Sequence, residues 1–285
     1  MLVISAGITG VAWLRGKNAE FETAEASYDA NQVATFVPVS ETVEPDQISE
    51  TGTGIGHVRL RVEATNQILL VPCAAGEGLK LSADYNKKRF DLTEQFEAQE
   101  GGNWDYGVTL TGKGSGLMRA LERVFSSQES TFELCLPREA RIALDVEIIE
   151  GGIEAELGGL WLTTADFSVD RGGLELAFRE PTTQPLERLR VQTSMGGSAV
   201  MMVGNASPAD LDFDYSMGGL VVDLSGDWRN DTQMAIKSSM GGGQVLMPQS
   251  LAIEGAPVAG SSEEGAFVVR FADGIDFDSV DISRR

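Results

Sequence analysis

Apolar and polar residues alternate with a period of two on both sides of paired glycines between residues 142 and 248. In the segment 211–224, LDFDYSMGGLVVDL, the apolar residues alternate with Asp and Ser before the glycines and with Val and Asp after them. Successive side chains of a strand point to opposite faces, so this alternation is typical of half-buried strands. The pattern predicts two short strands joined at a sharp corner, where glycine adopts conformations that other residues avoid.

The same pattern recurs at a nearly constant spacing. The string Ser-Met-Gly-Gly occurs three times, as Ser194, Met195, Gly196 and Gly197, as Ser216, Met217, Gly218 and Gly219, and as Ser239, Met240, Gly241 and Gly242. Earlier glycine pairs at 151–152 and 172–173 extend the series to five units. One unit cannot bury its apolar face alone, whereas stacked units form a continuous core. We therefore predict an all-β chain that forms a single β-solenoid, with Gly-cornered rungs of roughly 22 residues.

The repeated Ser and Met side chains have their own interpretation. A serine hydroxyl at a corner commonly bonds to the backbone of the turn. Three methionines at equivalent positions could form a ladder of thioethers, which are soft ligands suited to Cu(I). We favour the simpler interpretation, in which Met195, Met217 and Met240 are stacked corner residues that cap the core.

The N-terminal part of the chain differs from the repeat. Residues 1–17 contain the uncharged run LVISAGITGVAWL, which is shorter than the roughly 20 residues that span a bilayer. This run is compatible with the end of a longer membrane anchor, with a short interfacial anchor or with a buried strand or helix. We favour the first of these. Residues 18–57 are polar and acidic without periodicity, which predicts a linker.

The predicted solenoid domain covers residues 58–250, with a short helix inserted within 111–131. Residues 251–285 contain two further alternating segments, AFVVRF and GIDFDSVDIS. We interpret them as a terminal strand pair that caps the last rung, because an exposed solenoid end is an open sheet edge.

Charge narrows the classes of partner. The 285 residues include 43 Asp and Glu against 22 Lys and Arg, a formal net charge of -21. This surplus argues against nucleic acid and against anionic lipid as partners. The closely spaced acids Asp210, Asp212 and Asp214 suggest a carboxylate pair of the glycosidase kind. They occupy outward positions in the alternation, so we interpret them as part of a solvated wall.

Histidine and cysteine content limits the chemistry further. His57 is the single histidine, and any Ser-His-Asp or Cys-His system would have to use it. Zinc sites built from several His or Cys are excluded because the chain has one histidine and two cysteines. We expect His57 on the surface, no catalytic residue, no cofactor and no metal site. Cys73 and Cys135 lie in apolar segments and predict small buried residues first, with a disulfide as the alternative.

Part of the sequence resembles a known family. STFELCLPREARIALDVEIIEGGIEAELGGL, followed by LDFDYSMGGLVVDLSG, is similar to bacterial toastrack-type domains, which include the putative-adhesin domains and the C-terminal domain of LiaF-like cell-wall-active-antibiotic-response proteins. The matching positions are Leu134, Leu136 and Pro137 at the entry strand, and Leu144, Asp145, Val146 and Gly151 in the first unit. The likeness covers about residues 58–250. It implies a membrane-tethered surface or envelope-stress module, and it brings no catalytic residues.

These observations together predict a non-enzymatic, membrane-tethered interaction or envelope-stress-sensing module, in contact with the membrane through its N-terminal segment only. Its partner would be a protein at the cell envelope or a second copy of the chain. We expect the body outside the cytoplasm, although Arg15 and Lys17 after the apolar run favour the opposite orientation. The alternatives are a bactofilin-like structural polymer and a polysaccharide-binding or polysaccharide-cleaving surface protein.

Overall fold

The computed structural model describes residues 54–85, 90–113, 130–248, 250–254, 260–263, 266–271 and 276–284. Within these ranges the regular structure is nearly all strand, and helix is limited to single 3-10 turns at Glu100–Gly102 and Val203–Asn205. The all-β prediction is therefore confirmed. The predicted anchor, most of the predicted linker and residues 114–129, where the short helix was expected, lie outside the described residues.

The described strands belong to one sheet. They are, in chain order, β1 Ile55–Val62, β2 Gln67–Pro72, β3 Lys80–Asp84, β4 Phe90–Ala98, β5 Trp104–Gly112, β6 Thr131–Leu136, β7 Arg141–Glu156, β8 Trp161–Ala177, β9 Arg188–Met201, β10 Asp210–Asp223, β11 Thr232–Pro248, β12 Leu251–Glu254, β13 Gly260–Glu263, β14 Ala266–Phe271 and β15 Asp276–Arg284. β1 thus begins three residues before the predicted domain boundary at 58.

The five repeat units form a parallel stack in chain order, from β7 to β11. Their register aligns the first glycine of every pair, Gly151, Gly172, Gly196, Gly218 and Gly241. Each unit is one continuous strand that bends at this glycine, not the two separate strands that the alternation suggested. The alternating positions seven, five and three residues before the first glycine, and two, four and six residues after it, were expected to point inward. Those whose side chains are described are buried, except Met202 and Gly243. Met202 lies beyond the end of β9, in a left-handed conformation with φ 57°.

The N-terminal rungs do not follow chain order. β1 pairs with residues 141–148 of β7 and β2 pairs with residues 152–155, so these two strands form the rung beside β7. β5 and β6 form the next rung outward, on β1 and β2 respectively. Cys73 and Cys135 join these two rungs in a disulfide, with Cα atoms 5.0 Å apart. The disulfide, which the sequence left open as the alternative, is therefore present, because β2 and β6 end side by side and bring the two residues together.

Antiparallel strands cover both ends of the parallel stack. β4 pairs with β5 and β3 pairs with β6 at one end. At the other end, β15 pairs with the first half of β11 and β14 with its second half. β14 and β15 contain the two segments predicted as a terminal strand pair, and each of them pairs with β11. β14 also pairs with β13, and β15 also pairs with β12. The cap made by β3 and β4 was not predicted.

The two glycines of each corner have different roles. Gly196 has a φ of 141°, and a Cβ atom there would overlap the carbonyl oxygen of Gly172 on the neighbouring strand. A Cβ atom on Gly197 would have its nearest neighbour, the carbonyl oxygen of Gly219, 4.0 Å away. Only the first glycine is therefore required by the bend and by the close approach of the strands.

We expect Gly196→Ala to lower the free energy of unfolding by more than about 3 kcal/mol, because it combines an unfavourable φ with a backbone overlap. Gly197→Ala is the matched control, and its effect should stay below about 1 kcal/mol. Urea unfolding followed by circular dichroism measures both. Equal losses in the two variants would contradict this division of roles.

Removal of the disulfide should also destabilise the fold. The bridge closes a loop with a sequence separation of 62 residues, and loops of this size contribute about 2–5 kcal/mol. We expect a reducing agent to lower the urea midpoint of the wild type. The double variant Cys73→Ala/Cys135→Ala should start from that lower midpoint and should not respond to the reducing agent. A wild-type midpoint that is independent of reductant would refute the pairing.

Candidate functional surface at the glycine corner

Three exposed methionines stand side by side at the corner of successive strands. Met195 aligns with Met217, and Met217 aligns with Met240; we call these three residues the methionine ladder. They are 38%, 40% and 56% exposed, and among the described residues they are the exposed large hydrophobic side chains. The prediction that they cap the core is wrong. The bend at the following glycine turns outward a position that strict alternation would direct inward.

The corner itself does not require methionine. Arg171 of β8 aligns with Met195, and Glu150 of β7 aligns with Arg171. The glycines that follow them, Gly151 and Gly172, have φ values of 142° and 144°, like those of the methionine rungs. A charged residue is thus compatible with the same bend, so the methionine ladder is a feature of the surface and not of the fold.

A shallow depression runs across the strands next to the methionine ladder. Its volume is about 630 Å³. Its floor includes the second glycines of four corners, and outward side chains of the same strands line it; we call it the glycine groove, defined by Gly152, Gly173, Gly197, Gly219, Glu154, Glu175, Ala199 and Val221. Glu154 and Glu175 make the β7 and β8 part acidic, whereas Ala199 and Val221 make the β9 and β10 part apolar.

The interior behind the corner contains a polar pair on one rung. Thr193 and Ser198 flank the bend of β9 and are buried, and their hydroxyl oxygens lie 2.6 Å apart. They bond to each other, so neither hydroxyl is left unsatisfied at the core position. Of the corner serines, Ser194 and Ser216 are half-buried and Ser239 is exposed.

The acids of the first half of each strand form a mixed charged wall. Arg188 donates two hydrogen bonds to Asp166, at 3.2 and 2.7 Å, and this contact raises the pKa of the arginine. Arg190 lies 3.5 Å from Asp212, while Asp210 and Asp214 are exposed. The three predicted acids therefore lie outward, and Asp212 forms an ion pair across the strands. Such exposed pairs contribute little to stability.

The other ends of the rungs are held by a network that the sequence did not indicate. The Asn205 amide donates to the carbonyl oxygen of Phe178 at 2.7 Å, and its side-chain oxygen accepts from the backbone N–H of Asp227 at 2.9 Å. The Arg229 guanidinium donates to the carbonyl oxygens of Thr182 and Asn205, at 2.8 and 3.0 Å. These contacts join three successive loops.

The remaining candidate residues are dispersed. His57 lies on β1 with an exposed side chain, as expected. Within the described ranges, no group of three His, Cys, Asp or Glu side chains is placed to hold a metal ion. No helix in this part of the chain has the length and apolar character of a membrane span.

A half-buried carboxylate lies near the β4 end of the stack. Glu94 accepts a hydrogen bond from the hydroxyl of Tyr106 at 2.9 Å, and Tyr106 is fully buried. Burial raises the pKa of Glu94, and the tyrosine hydrogen bond opposes the rise. The sequence shows only an acid in an alternating strand and does not single out this residue.

Comparisons with known proteins add one structural likeness. No protein-family model matches the sequence, and none of the curated proteins matches it. A solved structure, described as a putative cell adhesion protein from Clostridium sporogenes, matches with a TM-score of 0.48 and 10% sequence identity. The match covers 80% of this chain and 85% of that one.

Glu94 should make the stability of the protein depend on pH. Burial raises its pKa in the folded state above the ordinary value of a glutamate, so the folded state binds more protons than the unfolded state and stability falls as the pH rises through this range. We expect Glu94→Gln to gain stability relative to the wild type between about pH 4 and pH 7. Glu97→Gln, at an exposed position on the same strand, is the control. Urea unfolding curves that shift in parallel for wild type and Glu94→Gln would contradict the expectation.

Proposed function

We propose that this chain is a non-enzymatic interaction module of the cell envelope, a β-solenoid tethered through residues 1–17 that contacts a protein partner along the glycine groove. The observation that carries the proposal is the corner surface, where a groove whose floor includes four glycines lies beside three exposed methionines. Exposed apolar patches bordered by polar residues commonly mark sites of protein contact. The toastrack resemblance supports an envelope role, and we extend it to the sensing of envelope stress.

The disulfide supports a body outside the cytoplasm. Structural disulfides persist in oxidising compartments and are rare in the cytosol. The Cys73–Cys135 bridge joins two rungs that are adjacent in space and are separated in the chain by β3 and β4. This placement fits a structural bridge, since it fixes a rung order that chain connectivity does not impose.

The groove suits an extended segment of a partner. It crosses five strands, β2 and β7 to β10, and adjacent strands lie about 4.8 Å apart, so its floor is about 19 Å long. A segment of about five or six extended residues fits that length. The acidic end at Glu154 and Glu175 would favour a basic residue, and the end at Ala199 and Val221 a small apolar one.

A bactofilin-like polymer is the second candidate. End-to-end joining of such stacks needs free strand edges at their ends. Here β3 and β4 occupy the free edges of β6 and β5, which form the outermost rung, and β14 and β15 occupy the free edge of β11. This capping favours the interaction module over the polymer. Polysaccharide cleavage is disfavoured because Asp212, one of its candidate acids, lies in an ion pair with Arg190.

Site-specific photo-crosslinking in the native envelope tests the proposal. A photoreactive residue at Val221, in the groove, should give a discrete adduct with an envelope protein, and the same residue at exposed Arg59 on β1 should not. Ala199→Glu should abolish the Val221 adduct, and the identified partner should bind the purified chain in the same variant-sensitive way. An adduct with a second copy of the chain would favour self-association. Equal adducts at both positions, or none at Val221, would overturn the groove as the contact surface.

A further inference from the structure

We propose that the methionine ladder is a binding site for a soft monovalent metal ion, with Cu(I) as the ion and the thioether sulfurs of Met217 and Met240 as its principal ligands. The inference does not rest on the proposed function, because it concerns the side chains before the glycines and not the groove that follows them.

The spacing of the strands suits two-sulfur coordination. The methionines are direct register partners on adjacent parallel strands, so their backbones are about 4.8 Å apart. A bond from sulfur to a metal of this size is about 2.3 Å long. Two such bonds in a line span about 4.6 Å, close to the strand spacing. Adjacent exposed methionines can therefore share one ion without any change in the backbone.

Exposure favours one end of the ladder. Met240 is 56% exposed, whereas Met195 is 38% exposed and aligns with Arg171 on the neighbouring strand. The guanidinium of Arg171 contacts Glu150 at 3.4 Å and Asp170 at 3.9 Å, so these two carboxylates balance its charge. The ion therefore binds between Met217 and Met240, and Met195 lies one strand away from this pair.

The ligand type selects the class of ion. Thioethers are neutral and soft, so they favour Cu(I) over hard ions such as Mg²⁺ or Ca²⁺. The two cysteines, which would otherwise be the strongest soft ligands of the chain, are bonded to each other. Methionine forms no disulfide, so its sulfur stays available as a ligand under the oxidising conditions that preserve that bridge.

The fold gives no other reason for these side chains. Equivalent corners carry Glu150 and Arg171, and the exposure of the three methionines means that they contribute little to the core. Replacing them with leucine should therefore leave the fold intact, since Leu and Met have similar volumes. That property makes the proposal testable by substitution.

The test uses the purified full-length chain and measures Cu(I) affinity by competition with a chromogenic chelator, with ascorbate to keep the copper reduced while the Cys73–Cys135 disulfide stays intact. Ag(I) serves as a redox-inert second probe, followed by the methyl resonances of methionine in NMR. We expect about one ion per chain and shifts confined to Met195, Met217 and Met240. The double variant Met217→Leu/Met240→Leu should weaken binding at least tenfold, because changes around a metal ligand already cost about 10–100-fold.

Two controls keep the result interpretable. Met201→Leu/Met247→Leu removes two methionines outside the ladder and should leave the affinity unchanged. Met195→Leu should weaken binding less than either Met217→Leu or Met240→Leu. Unchanged urea midpoints show that the variants are folded. Failure to bind either ion at micromolar concentration, or equal binding by the wild type and the Met217→Leu/Met240→Leu variant, would overturn the proposal, whatever the crosslinking at Val221 shows.

Discussion

The whole arrangement depends on the close approach of backbones at one column of glycines. Gly151, Gly172, Gly196, Gly218 and Gly241 stand in register with φ values between 129° and 144°. From Gly172 onward, a Cβ atom on any of them would overlap the carbonyl oxygen of the glycine before it. A shift of one residue between neighbouring strands would place a side chain in that space and would also turn the apolar positions outward. The column thus fixes the register of the five strands β7 to β11.

A parallel stack leaves an unpaired strand edge at each end. In this chain the less regular strands cover those edges. β3 and β4 close one end, and β14 and β15 close the other. The hairpin from β4 to β5 explains the exchanged order of the first two rungs, since β5 must lie outside β1 to receive β4 on its free edge. The disulfide then joins the two exchanged rungs.

The sequence predicted the parts of the fold that repeat. Alternation identified the buried positions of β7 to β11, and the glycine spacing identified their corners. It did not distinguish Gly196 from Gly197, because the two differ only in backbone conformation and in distance to the next strand. Contacts between segments that are distant in the chain leave no periodic pattern in the sequence. Three such features were therefore visible only in the structure: the Cys73–Cys135 pairing, the cap made by β3 and β4, and the loops joined by Asn205 and Arg229.

The three methionines lie at the surface for a physical reason that alternation does not reveal. Period-two alternation assigns Met195, Met217 and Met240 to the core face. Met195 lies two residues after buried Thr193, and Met217 lies two residues after buried Tyr215. The bend at the next glycine rotates the backbone before the alternation can continue, and the side chain turns to solvent. A regular corner thus converts an apparent core position into an exposed row, whose members are held at the strand spacing by the same glycine column. Rigid spacing lowers the entropy lost when several side chains act on one ligand, so the constraint that builds the stack also preorganises its most unusual surface.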